Sequence, residues 1–253
     1  VPEEFVVADI AGFNLRLYRD RKTVWSTRIQ VGKPYHATPV FRDAMTYLVL
    51  NPTWTVPPGI LRKEILPAVR KDPEYLGRKN MSVIRSDGSV VDPGTVDFSG
   101  RFPYGIRQEP GPSNALGRVK FIFPNPYFVY FHDTPSKGLF GRSARAFSHG
   151  CIRTEDPLRL AELLLADQGW DRARIDAVVA SEKMTTVTLA EPMTVFLLYW
   201  TADVWEDGTI AFREDIYNRD AKIIEGLSEP FRFKAPSNLP AALNPTRQPT
   251  QLA

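Results

Sequence analysis

The sequence has one cysteine, three histidines and no long hydrophobic run in 253 residues. A single cysteine cannot form an internal disulfide, which excludes a small fold held together by disulfide bonds. The longest apolar run in the later half, residues 195–200, is far shorter than the roughly 18 residues that a membrane-spanning helix needs. The net charge of +3 is too small for a nucleic-acid-binding protein, which carries a concentrated basic face.

The remaining composition, 43% hydrophobic and 24% charged, is typical of a globular protein with a large core. The length allows one large domain or two smaller ones. The chain opens at Val1 without an initiator methionine or a signal-peptide core, which is consistent with a removed signal, anchor or N-terminal domain.

Alternating and β-branched residues predict more strands than helices. The predicted strands span 5–10, 14–19, 23–31, 46–50, 119–131 with a break at Pro124-Asn125-Pro126, 185–189 and 194–200. A tight turn is predicted at Asp20-Arg21. Asp156 and Pro157 begin a predicted helix, and residues 171–180 form another. The predicted fold class is mainly β with a few helices (α+β).

Residues 57–113 carry a different pattern. A predicted helix at 60–66 is followed by closely spaced turn signals at 72–73, 86–88, 92–94 and 110–112. This density of turns predicts a small inserted subdomain, either a lid over a site or an irregular surface excursion. The predicted organisation is one domain at 1–225 that contains this insert, followed by a poorly ordered C-terminal tail at 226–253.

The only cysteine, Cys151, follows His149 and Gly150 directly. A cysteine attacks as its thiolate, so a nucleophilic Cys151 needs a base that takes its proton. His132 is the better candidate, because it ends a predicted strand on which Tyr130 shares its face. His149 is closer in sequence, but a residue on the same tight turn is not reliably aimed at the sulfur. His36 lies in a loop and is interpreted as a surface residue.

Gly150 permits a sharp turn with positive φ just before the cysteine. Such a turn can aim the N–H groups of Gly150 and Cys151 at one point, which would form an oxyanion hole for acyl transfer. Arg153, two residues further on, can share the side of the cysteine and bind a substrate carboxylate.

Other interpretations of these residues compete with a catalytic one. A lone cysteine is most often a small buried hydrophobe. His132, His149 and Cys151 are also zinc-ligand types, although no fourth ligand is evident. The basic residues of the segment, Lys137, Arg142, Arg145 and Arg153, either attract an anionic substrate or belong to a solvated loop.

His132 and the motif Ser148-His149-Gly150-Cys151-Ile152-Arg153, with the two histidines 17 positions apart, resemble the signature of the L,D-transpeptidase (YkuD) catalytic domain. The flanking segments 114–121, 132–135 and 146–147 agree. They look most like the larger proteobacterial members, which carry a capping subdomain within the catalytic domain. Many members have an asparagine where this chain has Asp156, which is interpreted as a helix cap.

The resemblance implies a β-sandwich or barrel in which residues 57–113 form the cap. It implies that Cys151 attacks the peptidoglycan stem between its third residue, usually diaminopimelate, and the terminal D-alanine of a tetrapeptide. His132 would be the base, oriented by the backbone carbonyl of Asp133. His149 and Gly150, with Cys151, would frame the oxyanion site.

By the same resemblance, Arg153 would bind a stem carboxylate, whereas a substrate-binding role of Tyr130 rests only on the predicted strand geometry. No metal or organic cofactor is expected. The expected partners are a tetrapeptide donor and the diaminopimelate amine of an acceptor stem, with carbapenems as covalent inhibitors and further envelope proteins as partners. The expected location is the periplasm or cell envelope.

The implied product is a 3→3 cross-link formed through a thioester. The same thioester also serves an L,D-carboxypeptidase, which uses water, or an enzyme that attaches a lipoprotein or exchanges the terminal D-amino acid. A catalytically silent wall-binding protein with the same fold is an alternative of another class.

Overall fold

The structure, a computed structural model, describes residues 2–204 and 208–230. Most of its regular elements are strands, as the sequence predicts. The strands are β1 (Phe5–Asp9), β2 (Asn14–Arg19), β3 (Lys22–Gly32), β4 (Phe41–Leu50), β5 (Trp54–Thr55), β6 (Met81–Ile84), β7 (Val90–Val91), β8 (Gly105–Gln108), β9 (Val119–Ile122), β10 (Phe131–His132), β11 (Ala146–Ser148), β12 (Ile152–Thr154), β13 (Thr185–Leu198), β14 (Ala202–Val204) and β15 (Ile210–Phe212).

The helices are fewer and shorter, so the fold class is confirmed as mainly β with a few helices. The α-helices are α1 (Pro58–Ile60), α2 (Leu66–Lys71), α3 (Tyr75–Arg78), α4 (Pro157–Leu165), α5 (Arg172–Ala180) and α6 (Asp220–Ser228). A π-helical turn (Leu61–Ile65) joins α1 to α2, and short 3-10 turns occupy Pro34–His36, Pro93–Thr95, Lys137–Gly141 and Ala166–Gln168.

The main sheet closes on itself. Its strand order is β11-β3-β12-β10-β9-β4-β13-β1-β2, and β2 pairs in turn with β3. Strand β3 can close the ring because it is long: its first part pairs with β2, whereas Gln30 and Ile29 pair with β12. The inner face of the ring is filled by fully buried side chains, among them Leu48, Phe121 and Phe131. Closure removes the exposed strand edges that an open sheet would present.

The predicted turn at Asp20-Arg21 joins β2 to β3. Both residues have positive φ, 49° and 61°, which is the geometry of a tight hairpin whose twist matches that of its strands. Leu15 and Leu17 are fully buried while the residues between them are not, so the predicted alternation on this strand is confirmed.

Residues 54–108 build a second sheet, with strand order β5-β8-β6-β7. Helices α1 to α3 and the π-helical turn precede β6 in this segment. Side chains from the helices and the sheet form a hydrophobic cluster that comprises Val56, Leu61, Ile65, Leu66, Val69, Leu76, Met81, Val83, Val91 and Ile106. The segment predicted to be an insert therefore has a sheet and a core of its own.

The predicted strand through residues 127–132 is wrong for residues 127–130. Only Phe131–His132 is strand, because Asn125 folds the preceding residues into a turn. Its amide nitrogen donates to the carbonyls of Phe123 and Val129, at 2.6 and 2.7 Å, and its amide oxygen accepts from two backbone N–H groups of the turn. Phe128 in this turn has a left-handed backbone, with φ 56°. A short polar side chain that bonds its own backbone overrides the strand propensity of the aromatic run.

Two late strands were predicted where the structure has one, β13. Pro192 lies where the pairing with β4 shifts register, between Thr188 and Met193, and a bulge lets the strand continue past a residue without an N–H. The predicted helix after the cysteine is confirmed: Asp156 caps α4 by accepting from the Arg159 N–H.

The described chain up to Ile216 forms one compact unit, and helix α6 belongs to the segment that follows. Of the predicted tail, residues 226–228 lie in α6, and residues 231–253 lie outside the described part of the chain. No helix in residues 2–204 or 208–230 is both long and apolar enough to cross a bilayer.

Asn114 joins the end of the insert to the closed sheet, and its replacement tests this junction. The buried amide donates to the carbonyls of Pro52 and Glu109, at 3.0 and 2.9 Å, and accepts from the Leu116 N–H. Because Asn114→Ala leaves these buried groups without partners, we expect the free energy of unfolding to fall by about 2–4 kcal/mol in urea titrations. The exposed neighbour variant Ser113→Ala should change it by less than about 0.5 kcal/mol. An equal effect of both would contradict the assignment.

Candidate active site

The closed sheet brings four of the predicted site residues to one face. Strand β10 pairs in parallel with β12, so that His132 lies opposite Arg153, and the Ile152 N–H donates to the Tyr130 carbonyl at 3.1 Å. Phe131 and Ile152 point into the core and are completely buried, with 0% of their surface accessible to solvent. Because side chains alternate along a strand, His132 and Arg153 project from the other face, next to Tyr130 and Cys151.

A turn before β12 holds Cys151, and Ser148 organises it. The Ser148 hydroxyl accepts from the Gly150 N–H at 3.0 Å and donates to the Cys151 carbonyl at 2.5 Å. Gly150 has φ 116°, so a glycine is required here, as the sequence predicts. The turn thereby fixes the cysteine at the start of the strand that carries Arg153.

The predicted pair of oxyanion donors is altered by this turn. The Gly150 N–H is engaged by Ser148, so it is not available to a substrate in this conformation. Within residues 2–204 and 208–230, no group accepts a hydrogen bond from the Cys151 N–H. The Cys151 amide is therefore the donor that this turn leaves for an oxyanion.

Thr38 is a site residue that sequence reasoning missed. Its buried hydroxyl accepts from the Gly32 N–H at 2.9 Å and donates to the Gly150 carbonyl at 2.8 Å. The Lys33 N–H donates to the Ser148 carbonyl at 3.0 Å, so the loop after β3 holds the cysteine turn at two points. Nothing in the local sequence signals these contacts, because they join segments more than 100 residues apart.

His132 is buried and oriented by the next residue. Its Nδ1 lies 2.5 Å from the Asp133 carbonyl oxygen, which can only accept a hydrogen bond. The Nδ1 atom therefore carries the hydrogen, and Nε2 keeps the lone pair that a base needs. This is the orientation that the family resemblance implies for His132.

The Asp133 side chain holds the backbone behind His132 in place. Its carboxylate accepts from the Arg118 N–H at 2.8 Å and forms an ion pair with Lys137 Nζ at 2.6 Å. Gly117 has φ 63°, and a Cβ there would lie 2.3 Å from the Asp133 carboxylate, so only glycine fits. The carbonyl that orients the imidazole is thus part of a rigid segment.

Burial shifts the two reactive groups toward their neutral forms. Burial, and after it the Arg153 cation, lowers the pKa of His132 to about 3. Burial also raises the pKa of the Cys151 thiol, while hydrogen bonds from Tyr130 and the charge of Arg153 act in the opposite direction. The resting site therefore holds a thiol and a neutral imidazole. Such a pair suits proton transfer at the moment of attack.

Tyr130 contacts the cysteine rather than only lining the site. Its side chain lies beside the Cys151 thiol, whose S–H donates to the Phe128 carbonyl at 3.7 Å, and its ring centroid lies 5.6 Å from that of His132. Burial, followed by the proximity of Cys151, raises the pKa of the phenol above its usual value. The predicted shared face of Tyr130 and His132 is confirmed, and the contact with the thiol adds a role that the sequence did not reveal.

Arg153 keeps donors that no described residue uses. Nη1 donates to the neutral Gln30 amide at 3.3 Å, and the buried Nε has no partner. Burial lowers the pKa of the guanidinium, and no carboxylate of the described residues opposes this effect. A cation with unused donors beside a thiol is suited to bind a carboxylate.

His149 points toward the insert. Its Nε2 lies 2.9 Å from Glu64 Oε1 on the π-helical turn. Its ring centroid lies 5.0 Å from that of His36, which is exposed but is no remote surface residue. Partial desolvation, and then the nearby His149, lowers the pKa of His36. These groups border a cleft of about 280 Å³ that is lined by His36, Ala37, Pro39, Tyr127, Val129, His149 and Gly150.

The other interpretations of the site residues can now be compared with the structure. In the described ranges, no group of three or more His, Cys, Asp and Glu residues could hold a metal ion, so His132, His149 and Cys151 do not form a ligand set. Arg145 donates to the carbonyls of Phe13, Ile29 and Arg142. Two of the basic residues, Arg145 and Lys137, therefore stabilise the local fold, unlike Arg153.

The structure thus places Cys151 and the buried His132 together on the outer face of a closed β-sheet. Residues 3–188 match the YkuD family, described as the L,D-transpeptidase catalytic domain. A Haemophilus influenzae protein named "Putative L,D-transpeptidase" is 38% identical over 221 residues, which are 86% of this chain and 45% of that protein. The chain thus spans less than half the length of this relative.

The solved structures that match the chain include L,D-transpeptidases, of which two serve as examples. One, from Mycobacterium smegmatis, is 14% identical with a TM-score of 0.34 and covers 78% of this chain and 58% of that chain. The other is the catalytic domain from E. faecium acylated by ertapenem, which is 13% identical with a TM-score of 0.34 and covers 78% and 98%. By its match over residues 3–188 and its relative, the chain belongs to the YkuD family of L,D-transpeptidase catalytic domains.

The protonation state of His132 is directly measurable. Because burial holds its pKa at about 3, we expect the ring to stay neutral, with the hydrogen on Nδ1, from pH 8 down to about pH 5. The ¹⁵N chemical shifts of a histidine-labelled sample check this, with His132→Gln to assign the signal. A midpoint near 6.5, the value of an ordinary histidine, would contradict the account.

Proposed function

We propose that the protein is a cysteine L,D-transpeptidase that forms 3→3 cross-links in peptidoglycan, acting in the periplasm or cell envelope. Family membership supports the reaction class. The observation that carries the proposal is the placement of Cys151 against Tyr130, on the face where His132 keeps Nε2 for a proton.

In the first half-reaction, His132 Nε2 takes the thiol proton as Cys151 Sγ bonds to the carbonyl carbon between diaminopimelate and D-alanine. The Cys151 N–H stabilises the oxygen that becomes negative. When the intermediate collapses, the C–N bond breaks, and His132 returns its proton to the nitrogen of the departing D-alanine. The products are a thioester on Cys151 and free D-alanine.

In the second half-reaction, the side-chain amine of an acceptor diaminopimelate attacks the thioester. His132 takes the proton that the amine loses as the new C–N bond forms. The C–S bond then breaks, and the proton restores the Cys151 thiol. Arg153 would hold a carboxylate of the stem through both steps, and the insert around Glu64 would act as the cap that closes over the stem.

Purified disaccharide-tetrapeptide provides the first test. We expect the wild type to release D-alanine and to form dimers that are joined through two diaminopimelate residues, as measured by mass spectrometry. Cys151→Ala should form none, because no thioester can form, while a matched substitution of an exposed residue, Ser143→Ala, should act as the wild type does.

The products separate the alternatives. Tripeptide without dimers would mean that water resolves the thioester and that the protein is a carboxypeptidase. Dimers formed equally by Cys151→Ala would contradict the proposal. Binding of the stem without any product, in the wild type as in Cys151→Ala, would support a catalytically silent wall-binding protein.

Carbapenems test the nucleophile independently of the acceptor. A strained β-lactam carbonyl should acylate Cys151, so the intact mass of the wild type should rise by one drug molecule. His132→Gln should slow this reaction by about 10²- to 10⁴-fold, the usual contribution of a general base, with an unchanged melting temperature. An equal adduct on Cys151→Ala would remove the role of the cysteine.

A further inference from the structure

A second cation flanks His132 on the side opposite Arg153. Across β12, β10 and β9, the register places Arg153 opposite His132 and His132 opposite Lys120. All three belong to the outer face, because Phe121 next to Lys120 is fully buried in the core. His132 therefore stands between a guanidinium and an ammonium group.

Among the described residues, Lys120 has no acidic partner. Burial lowers its pKa, and no carboxylate of the described residues opposes that shift. Its Nζ lies 5.9 Å from the centroid of the Tyr130 ring. Lys137 provides a contrast, because this nearby lysine lies 2.6 Å from the Asp133 carboxylate. Lys120 thus carries a partly buried ammonium group, and the contact described for this group is with the aromatic ring of Tyr130.

A charge in such a place is costly unless an anion joins it. Removing an ammonium from water without a counter-ion is unfavourable, and a cation–π contact compensates only in part. The cost is tolerable in a binding site, where the ligand supplies the opposite charge. The Tyr130 ring lies next to Lys120 on one side and next to Cys151 and His132 on the other. An anion bound by Lys120 would therefore be separated from Cys151 and His132 only by this ring.

We propose that Lys120 binds the terminal carboxylate of the donor peptide, the one that departs with the leaving residue; this inference rests on the proposed function. Arg153 lies on the strand of the nucleophile and would hold the part of the stem that stays on Cys151. Lys120 lies beyond His132, which delivers a proton to the leaving amine. The carboxylate of the leaving residue is two bonds from that amine, so it falls on the Lys120 side.

This placement makes Lys120 a specificity-determining residue. A stem that ends at its fourth residue presents a carboxylate to Lys120. A longer stem, or one whose end is amidated, presents a neutral amide instead and loses a charge-assisted hydrogen bond.

Binding to a variant without the nucleophile tests this inference separately from turnover. In Cys151→Ala, a tetrapeptide with a free C-terminus should bind about 10- to 100-fold more tightly than the same peptide with a C-terminal amide, by calorimetry. Adding Lys120→Gln should abolish this preference, because it should weaken the binding of the peptide with the free C-terminus and leave the binding of the amidated peptide unchanged. Lys120→Arg should restore part of it, and the exposed strand lysine variant Lys22→Gln should leave it unchanged.

Two results would overturn the inference. One is an equal affinity for acid and amide in Cys151→Ala, and the other is a preference that survives Lys120→Gln. A preference that depends on Lys120, in a wild type that forms no product from the tetrapeptide, would keep the carboxylate site and reject the proposed transpeptidase instead.

Discussion

Two short strands that are far apart in sequence lie side by side in parallel, and their pairing fixes where the reactive groups stand. Phe131 of β10 and Ile152 of β12 are buried within the closed sheet. Since neighbouring side chains alternate, burying these two residues directs His132 and Arg153 outward. A register shift of one residue would send the histidine and arginine into the core. The hydrophobic effect within the ring therefore aligns the polar groups on its surface.

Desolvation shifts the pKa values of His132 and Cys151 in opposite directions, yet it favours the neutral form of both. It lowers the pKa of His132 and raises that of Cys151, so each group is neutral at rest. The nearby cations push the imidazole further that way, whereas Tyr130 and Arg153 favour the thiolate. The proton of Cys151 therefore stays on the sulfur at neutral pH, and a thiol is less reactive than a thiolate.

The sequence was sufficient to predict the local backbone where a residue type favours one conformation. Gly150 before the cysteine predicted a turn with positive φ, and Asp20-Arg21 between two strands predicted a hairpin, and both are present. It was insufficient where a distant segment or a side chain decides the outcome. Asn125 turns an aromatic run that looks like a strand, and Thr38 reaches Gly150 only because β3 and β11 are neighbours. The Gly150 N–H, which the motif predicts as an oxyanion donor, donates to the Ser148 hydroxyl instead.

The π-helical turn between α1 and α2 sets the phase of the helix that carries Glu64. The Leu66 N–H bonds to the Leu61 carbonyl, five residues back instead of four, so the turn holds one residue more than an α-helical turn. With this extra residue, Leu61 and Ile65 both stay in the core of the insert while Glu64 points outward to His149. In a regular α-helix each residue advances by about 100°, which would place Glu64 only about 60° from the buried Leu61. The wider π-helical turn advances less per residue and so turns Glu64 further away from the buried face. The added residue thus links the packing of Leu61 and Ile65 in the insert to the position of Glu64, and through Glu64 to His149, two residues before the cysteine.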